Sequence, residues 1–178
     1  MSELETMREQ EAECIEVDYY DAMVQKWNAR AERAETRKVV IRDSDRPWEQ
    51  TKQGLLKHFL HPDMKDTALQ DWLFFMQTIK THSGRHRHQG GLAIYVIEGQ
   101  GYTTVNGQRV DWEEGDLVLL PVQPNGVEHQ HFNLDPEKPS RWLAMIPVYV
   151  QDLIAGQIKQ VDLSPDWEAK EKLGESNL

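Results

Sequence analysis

Between residues 72 and 150 apolar residues come in short alternating or continuous blocks separated by turn formers. The blocks are "WLFFMQTIK", "LAIYVIEG", "YTTVNGQRVDW", "GDLVLLP", "GVEHQHFN" and "SRWLAMIPVYV". Asn106-Gly107 sits between two alternating runs, a strong short-range hairpin signal. Short strands at regular spacing with turns between them predict an all-β sandwich or barrel. The block "LLKHFL" (55–60) reads as a strand or a short helix, and its periodicity does not decide. Residues 1–40 are different: rich in Glu, Ala, Arg and Lys, without Gly or Pro. There Tyr20, Met23, Val24, Trp27, Ala31 and Ala34 recur at helical spacing, predicting one or two helices. The expected organisation is a helical extension over 1–40, a β-barrel over 41–163 and a C-terminal tail over 164–178. "RDSDRPW" (42–48) marks the entry turn, with Pro47 as breaker. Residues 1–12 are polar enough to fray, and the end from Ser164 reads as a short helix and a tail. The extension is expected to pack on the barrel or on a second subunit.

Composition narrows the partners. The 178 residues are 39% hydrophobic and 28% charged, which fits one domain with a wet surface. A formal net charge of -10 argues against nucleic acid, whose phosphates need a basic face. No stretch nears the ~20 apolar residues of a membrane span. The N-terminus lacks a signal-type apolar run, and Cys14 is the single cysteine. These features lead us to expect a cytoplasmic protein.

The candidate chemistry lies in the histidines, all seven of which fall between residues 58 and 131. In a strand, residues i and i+2 share a face. His86 and His88 can therefore both face inward, with Arg85 and Arg87 pointing away, as surface ion-pair partners or as a subunit contact. His129 and His131 repeat the pattern about forty residues on. In a barrel, that spacing brings the two pairs together, and neutral imidazole suits iron, copper and zinc. His82 reads as a loop residue or one at the pocket mouth. His58 and His61 read as structural or surface residues. The six tryptophans read as packing or interface anchors.

At these residues the sequence resembles the cupin superfamily, whose first motif is G-x5-H-x-H-x3,4-E-x6-G. His86, His88 and Gly99 match it, and Leu92 stands where cupins usually carry glutamate. The second motif, G-x5-P-x-G-x2-H-x3-N, is met by Gly115, Pro124, Gly126, His129 and Asn133, with Pro121 at the ordinary proline spacing from Gly115 and three residues inserted before Pro124. The resemblance covers roughly residues 70–150 and implies a single cupin barrel, a double-stranded β-helix or jelly roll. Within the superfamily the chain is similar to gentisate and 1-hydroxy-2-naphthoate dioxygenases, which run "HRHT…ALRFVIEGEG" and "WHDHGN" where this chain has "HRHQGGLAIYVIEGQG" and "EHQHFN". Those enzymes hold iron(II) with three histidines and no glutamate. The resemblance thus implies His86, His88 and His129 as ligands of Fe(2+), with zinc, manganese or nickel as alternatives. His131 falls on a family histidine that is not a ligand. The family's arginine in "ALRF", placed to meet a substrate carboxylate, falls on Ile94. A small neutral phenolic substrate is therefore easier to accept than gentisate, because a buried carboxylate needs a cationic partner.

The implied activity is a C–C-cleaving dioxygenase using O2 and a small aromatic substrate. A non-oxygenase metal cupin (isomerase, lyase or hydrolase) and a small-molecule-binding regulatory cupin are the competing readings. His131 is a candidate general base, or equally a hydrogen-bonding group that orients a ligand. Leu92, Ile94 and Val96 share a strand face and are expected to wall the substrate pocket or to be core. A homodimer or homotetramer is expected.

Overall fold

The computed structural model describes residues 18–154 and 156–175. The expected fraying of residues 1–12, Cys14 and the last three residues lie outside this range. The chain divides into two compact units at Arg37/Lys38. The described part of the first is helix α1 (Tyr19–Thr36), where the helical spacing placed it. Asp18 caps it: its Oδ1 accepts the Tyr20 and Asp21 backbone N–H groups, both at 3.0 Å. None of its residues is buried, and Trp27 and Tyr20 lie exposed.

The second unit holds two antiparallel sheets, with strands numbered along the chain. One sheet runs β1 (Glu49–Thr51), β2 (Gly54–Leu60), β3 (Trp72–Ile79), β10 (Ser140–Pro147), β5 (Leu92–Glu98) and β8 (Leu117–Leu120). The other runs β11 (Lys159–Asp162), β4 (Arg85–His88), β9 (Val127–Asn133), β6 (Gln100–Val105) and β7 (Gln108–Glu113). This is the all-β jelly roll expected from the alternating blocks. "LLKHFL" is strand, within β2. One boundary differs from expectation. "VYV", taken as the end of a strand, opens the short helix α2 (Val148–Leu153). The short helix expected after Ser164 is α3 (Pro165–Glu175), which lies against β1 and β2.

Strand alternation builds the core. Along β10, every second residue from Ser140 to Ile146 is buried. Ile79, Ile94, Val96 and Trp142 from one sheet pack with Trp112 and Val127 from the other. The β6–β7 hairpin turns at Asn106-Gly107, both with positive φ (49° and 83°). That is the turn geometry which matches the right-handed twist of its flanking strands.

Candidate metal centre

The centre is built on two neighbouring strands of the five-stranded sheet. Antiparallel register sets His86 of β4 directly opposite His129 of β9. His88 lies two residues along β4 from His86, and so on the same face. One ring nitrogen from each of His86, His88 and His129 lies within 4.8 Å of the others. The rings of His86 and His129 are 4.2 Å apart between centroids, and those of His88 and His129 are 4.9 Å apart. No carboxylate joins this group among the described residues. The outward-facing residues confirm the alternation. Arg87 and Arg85 pair with Glu128 at 3.1 and 3.6 Å, and Arg85 also meets Asp162 at 2.6 Å. Gln130 turns away to donate to the Ser83 carbonyl at 2.8 Å.

Burial keeps these rings uncharged. It pushes His86 down to about 4 and His131 to about 3, and it lowers His88 and His129. Neutral imidazoles are the form that binds a cation. The hydrogen bonds then distinguish the rings. His129 Nδ1 lies 3.3 Å from the Val127 carbonyl; donating there leaves its Nε2 lone pair free, as a ligand needs. His88 Nδ1 accepts the Gly90 N–H at 3.0 Å. Ligation through its Nε2 would move the ring proton to Nδ1 and release that contact. His86 Nδ1 is buried without a well-formed hydrogen bond, and the Gly84 backbone is the polar group that acts on the ring. Three converging neutral imidazoles of this kind fit a divalent transition metal.

His131 is held differently. Its Nδ1 lies 2.8 Å from Thr103 Oγ1, which also accepts the Trp112 Nε1–H at 3.0 Å. Among the described residues the Thr103 hydroxyl has no other acceptor. Its proton therefore goes to His131 Nδ1, and the hydrogen-bond network assigns the His131 proton to Nε2. In that tautomer His131 is a hydrogen-bond donor, with no lone pair for a metal or for a substrate proton. Of the two roles expected for His131, this tautomer suits the hydrogen-bonding group rather than the general base. Gly101 makes the arrangement possible: a Cβ there would collide with the Phe132 carbonyl and the Trp112 indole.

The four histidines line a cavity of about 470 Å³ between the sheets. Leu92, Ile94, Phe75, Trp142 and Ile146 supply apolar wall. Val96 shares the strand face of Leu92 and Ile94 but does not reach the cavity; at 1% exposure it is core. No Lys, Arg, Asp or Glu lines the cavity among the described residues. His58 and His61 do line it, contrary to the expectation of structural or surface roles. So do Gln53, Gln77, Phe75 and Trp142. For His58 a signal was available: it follows Leu56 by two residues, so in a strand both face inward. His82 is not on the cavity wall; it bridges to Phe132 beside β9.

Residues 74–146, close to the stretch that carries the motifs, match the family model described as a cupin domain. The barrel has the cupin fold. Among solved structures, it resembles the polyketide cyclase RemF from Streptomyces resistomycificus. The TM-score is 0.52 at 16% identity, covering 72% of this chain and 89% of that one, which is a likeness of fold. Among curated proteins, a gentisate 1,2-dioxygenase from Ralstonia sp is 36% identical over 84 residues, 43% of this chain and 22% of the relative. A gentisate 1,2-dioxygenase from Streptomyces sp is 41% identical over 59 residues, 33% of this chain and 15% of the relative. The match spans less than a quarter of the length of either relative.

Proposed function

We propose that this cupin is a non-haem iron(II) dioxygenase acting on a small phenolic substrate without a carboxylate. One observation carries the reading. Three neutral imidazoles, with no carboxylate among them, converge on an apolar-walled cavity in a stretch similar to gentisate 1,2-dioxygenases. His86, His88 and His129 would hold the cation. Iron(II), when bound, supplies the redox chemistry with O2; the protein supplies the dry, shaped surroundings.

The remaining residues support this choice of substrate. Leu92 and Ile94 offer flat apolar contact to an aromatic ring. His131 Nε2–H, beside His129 (5.3 Å between ring centroids), offers a donor to a substrate oxygen. It stays a donor because Thr103 occupies its other nitrogen. No Lys or Arg among the described residues of the wall can meet a carboxylate, and Ile94, 2% exposed, fills the position of the related enzymes' arginine. An unpaired buried carboxylate is costly. Hydroquinones, catechols and hydroxyacetophenones should therefore be better substrates than gentisate or salicylates.

The test is oxygen uptake by the iron-loaded protein with a panel of hydroquinones, catechols, salicylates and hydroxyacetophenones. We expect uptake with at least one member lacking a carboxylate, and weaker uptake with its carboxylated analogue. A panel that draws down no oxygen would overturn the reading.

A further inference from the structure

A phenol must lose a proton to become a good chelator and electron donor. The ligand histidines cannot take that proton, because their lone pairs are committed to the cation. His131 cannot either, since its Nε2 already carries hydrogen. No carboxylate lines the cavity among the described residues. His61 Nδ1 lies 3.2 Å from the Asp63 backbone N–H and 3.4 Å from Asp63 Oδ2, partners that favour opposite tautomers, so its neighbours do not hold a lone pair on Nε2.

His58 is the exception. It lies on β2, in the sheet that lacks the triad, and its side chain lines the cavity. The next residue inward along the strand, Lys57, points the other way, to Asp43 at 2.7 Å. His58 Nδ1 sits 3.2 Å from Glu49 Oε1. An ionised carboxylate only accepts, so Nδ1 carries the hydrogen and Nε2 keeps its lone pair. The ring is braced by Phe75 at 5.3 Å and, edge-on, by His61 at 5.8 Å. Phe75 in turn touches Trp142 at 6.0 Å, and Trp142 touches His131 at 4.8 Å. A continuous line of rings thus joins His58 to the metal centre along the cavity wall.

We propose that His58 is the general base, taking the proton of the substrate hydroxyl, and that Glu49 is its positioning residue. The role rests on the dioxygenase reading for its substrate class. In the step, the phenolic O–H bond breaks and an N–H bond forms at His58 Nε2. A neutral pair becomes phenolate and imidazolium, with the Glu49 carboxylate beside the new positive charge. No electron leaves the substrate in this step. His58 and His131 thereby divide the work, one accepting and one donating, because different partners hold their Nδ1 atoms.

Calorimetry with catechol tests this without turnover. The zinc-loaded protein is titrated at pH 7 in two buffers of different ionisation enthalpy, which reports protons released per catechol bound. We expect the wild type to keep one proton that His58→Gln releases to buffer, or His58→Gln to bind catechol at least tenfold more weakly. Glu49→Gln should fall between them. In the iron-loaded protein, His58→Gln should keep its iron and lose a factor of roughly 10²–10⁴ in kcat. Equal proton counts and affinities in wild type and His58→Gln would overturn the role of His58, whatever the oxygen uptake. Absent uptake by the wild type, with the proton difference intact, would count against the dioxygenase reading alone. Failure of the wild type to bind catechol would overturn both.

Discussion

His129 and His131 stand two residues apart on one face of β9, yet their Nδ1 atoms meet different neighbours. His129 Nδ1 faces the Val127 carbonyl, which can only accept, while His131 Nδ1 faces the Thr103 hydroxyl, which can donate. Sequence spacing puts both rings inward; only the neighbours separate the proposed ligand from the proposed donor. The same burial that keeps the rings neutral makes the metal-free protein acid-sensitive. Each folded-state pKa lies below the ordinary 6.5, so between the two values the unfolded chain binds more protons. This stability is present in full above about pH 6.5. It is lost as the pH falls toward about 4 for His86 and about 3 for His131. For His131 alone the loss is on the order of 5 kcal/mol at most. Urea midpoints of the metal-free protein should therefore fall steeply from pH 6.5 to 4. A midpoint that stays level over that window would contradict the neutral-imidazole assignment.

At the scale of elements, the site is a product of register. A buried relay runs across the five-stranded sheet from Trp112 on β7, through Thr103 on β6, to His131 on β9, with His86 opposite His129 beyond. Gly101, beside Trp112 in the β6–β7 register, lets the indole lie close enough to reach Thr103. Gly101→Ala forces a methyl group between backbone and ring, and overpacking of that kind costs about 1–3 kcal/mol. The expected result is a lower thermal midpoint together with an altered near-UV signal from Trp112. An unchanged midpoint would show that the indole can move aside. The His-x-His pairs, the Asn106-Gly107 hairpin and the all-β class were legible in the sequence because each is a local, period-two or turn signal. The opposite wall was not. Phe75 and Trp142 reach the cavity through β10 pairing with β3 and β5, over separations that no local pattern records. Val96 shows a second limit: alternation tells which face a residue takes, but not how far along the strand the cavity extends.

For the whole molecule, a cavity wall without Lys, Arg, Asp or Glu among the described residues suits the small neutral ligand proposed above. The chain matches under a quarter of the length of its gentisate dioxygenase relatives, and the stretch that matches the cupin domain, 74–146, contains both His-x-His segments. No described helix is long and apolar enough to cross a membrane. What distinguishes this barrel from a merely histidine-rich one is whether three particular rings share one ion. The most direct measurement is metal content and affinity, taken by elemental analysis and titration, for wild type, His88→Ala and His131→Ala. We expect one ion per chain in the wild type, an empty site in His88→Ala and near-full occupancy in His131→Ala. Equal retention in the two variants, or no stoichiometric ion in the wild type, would contradict the account.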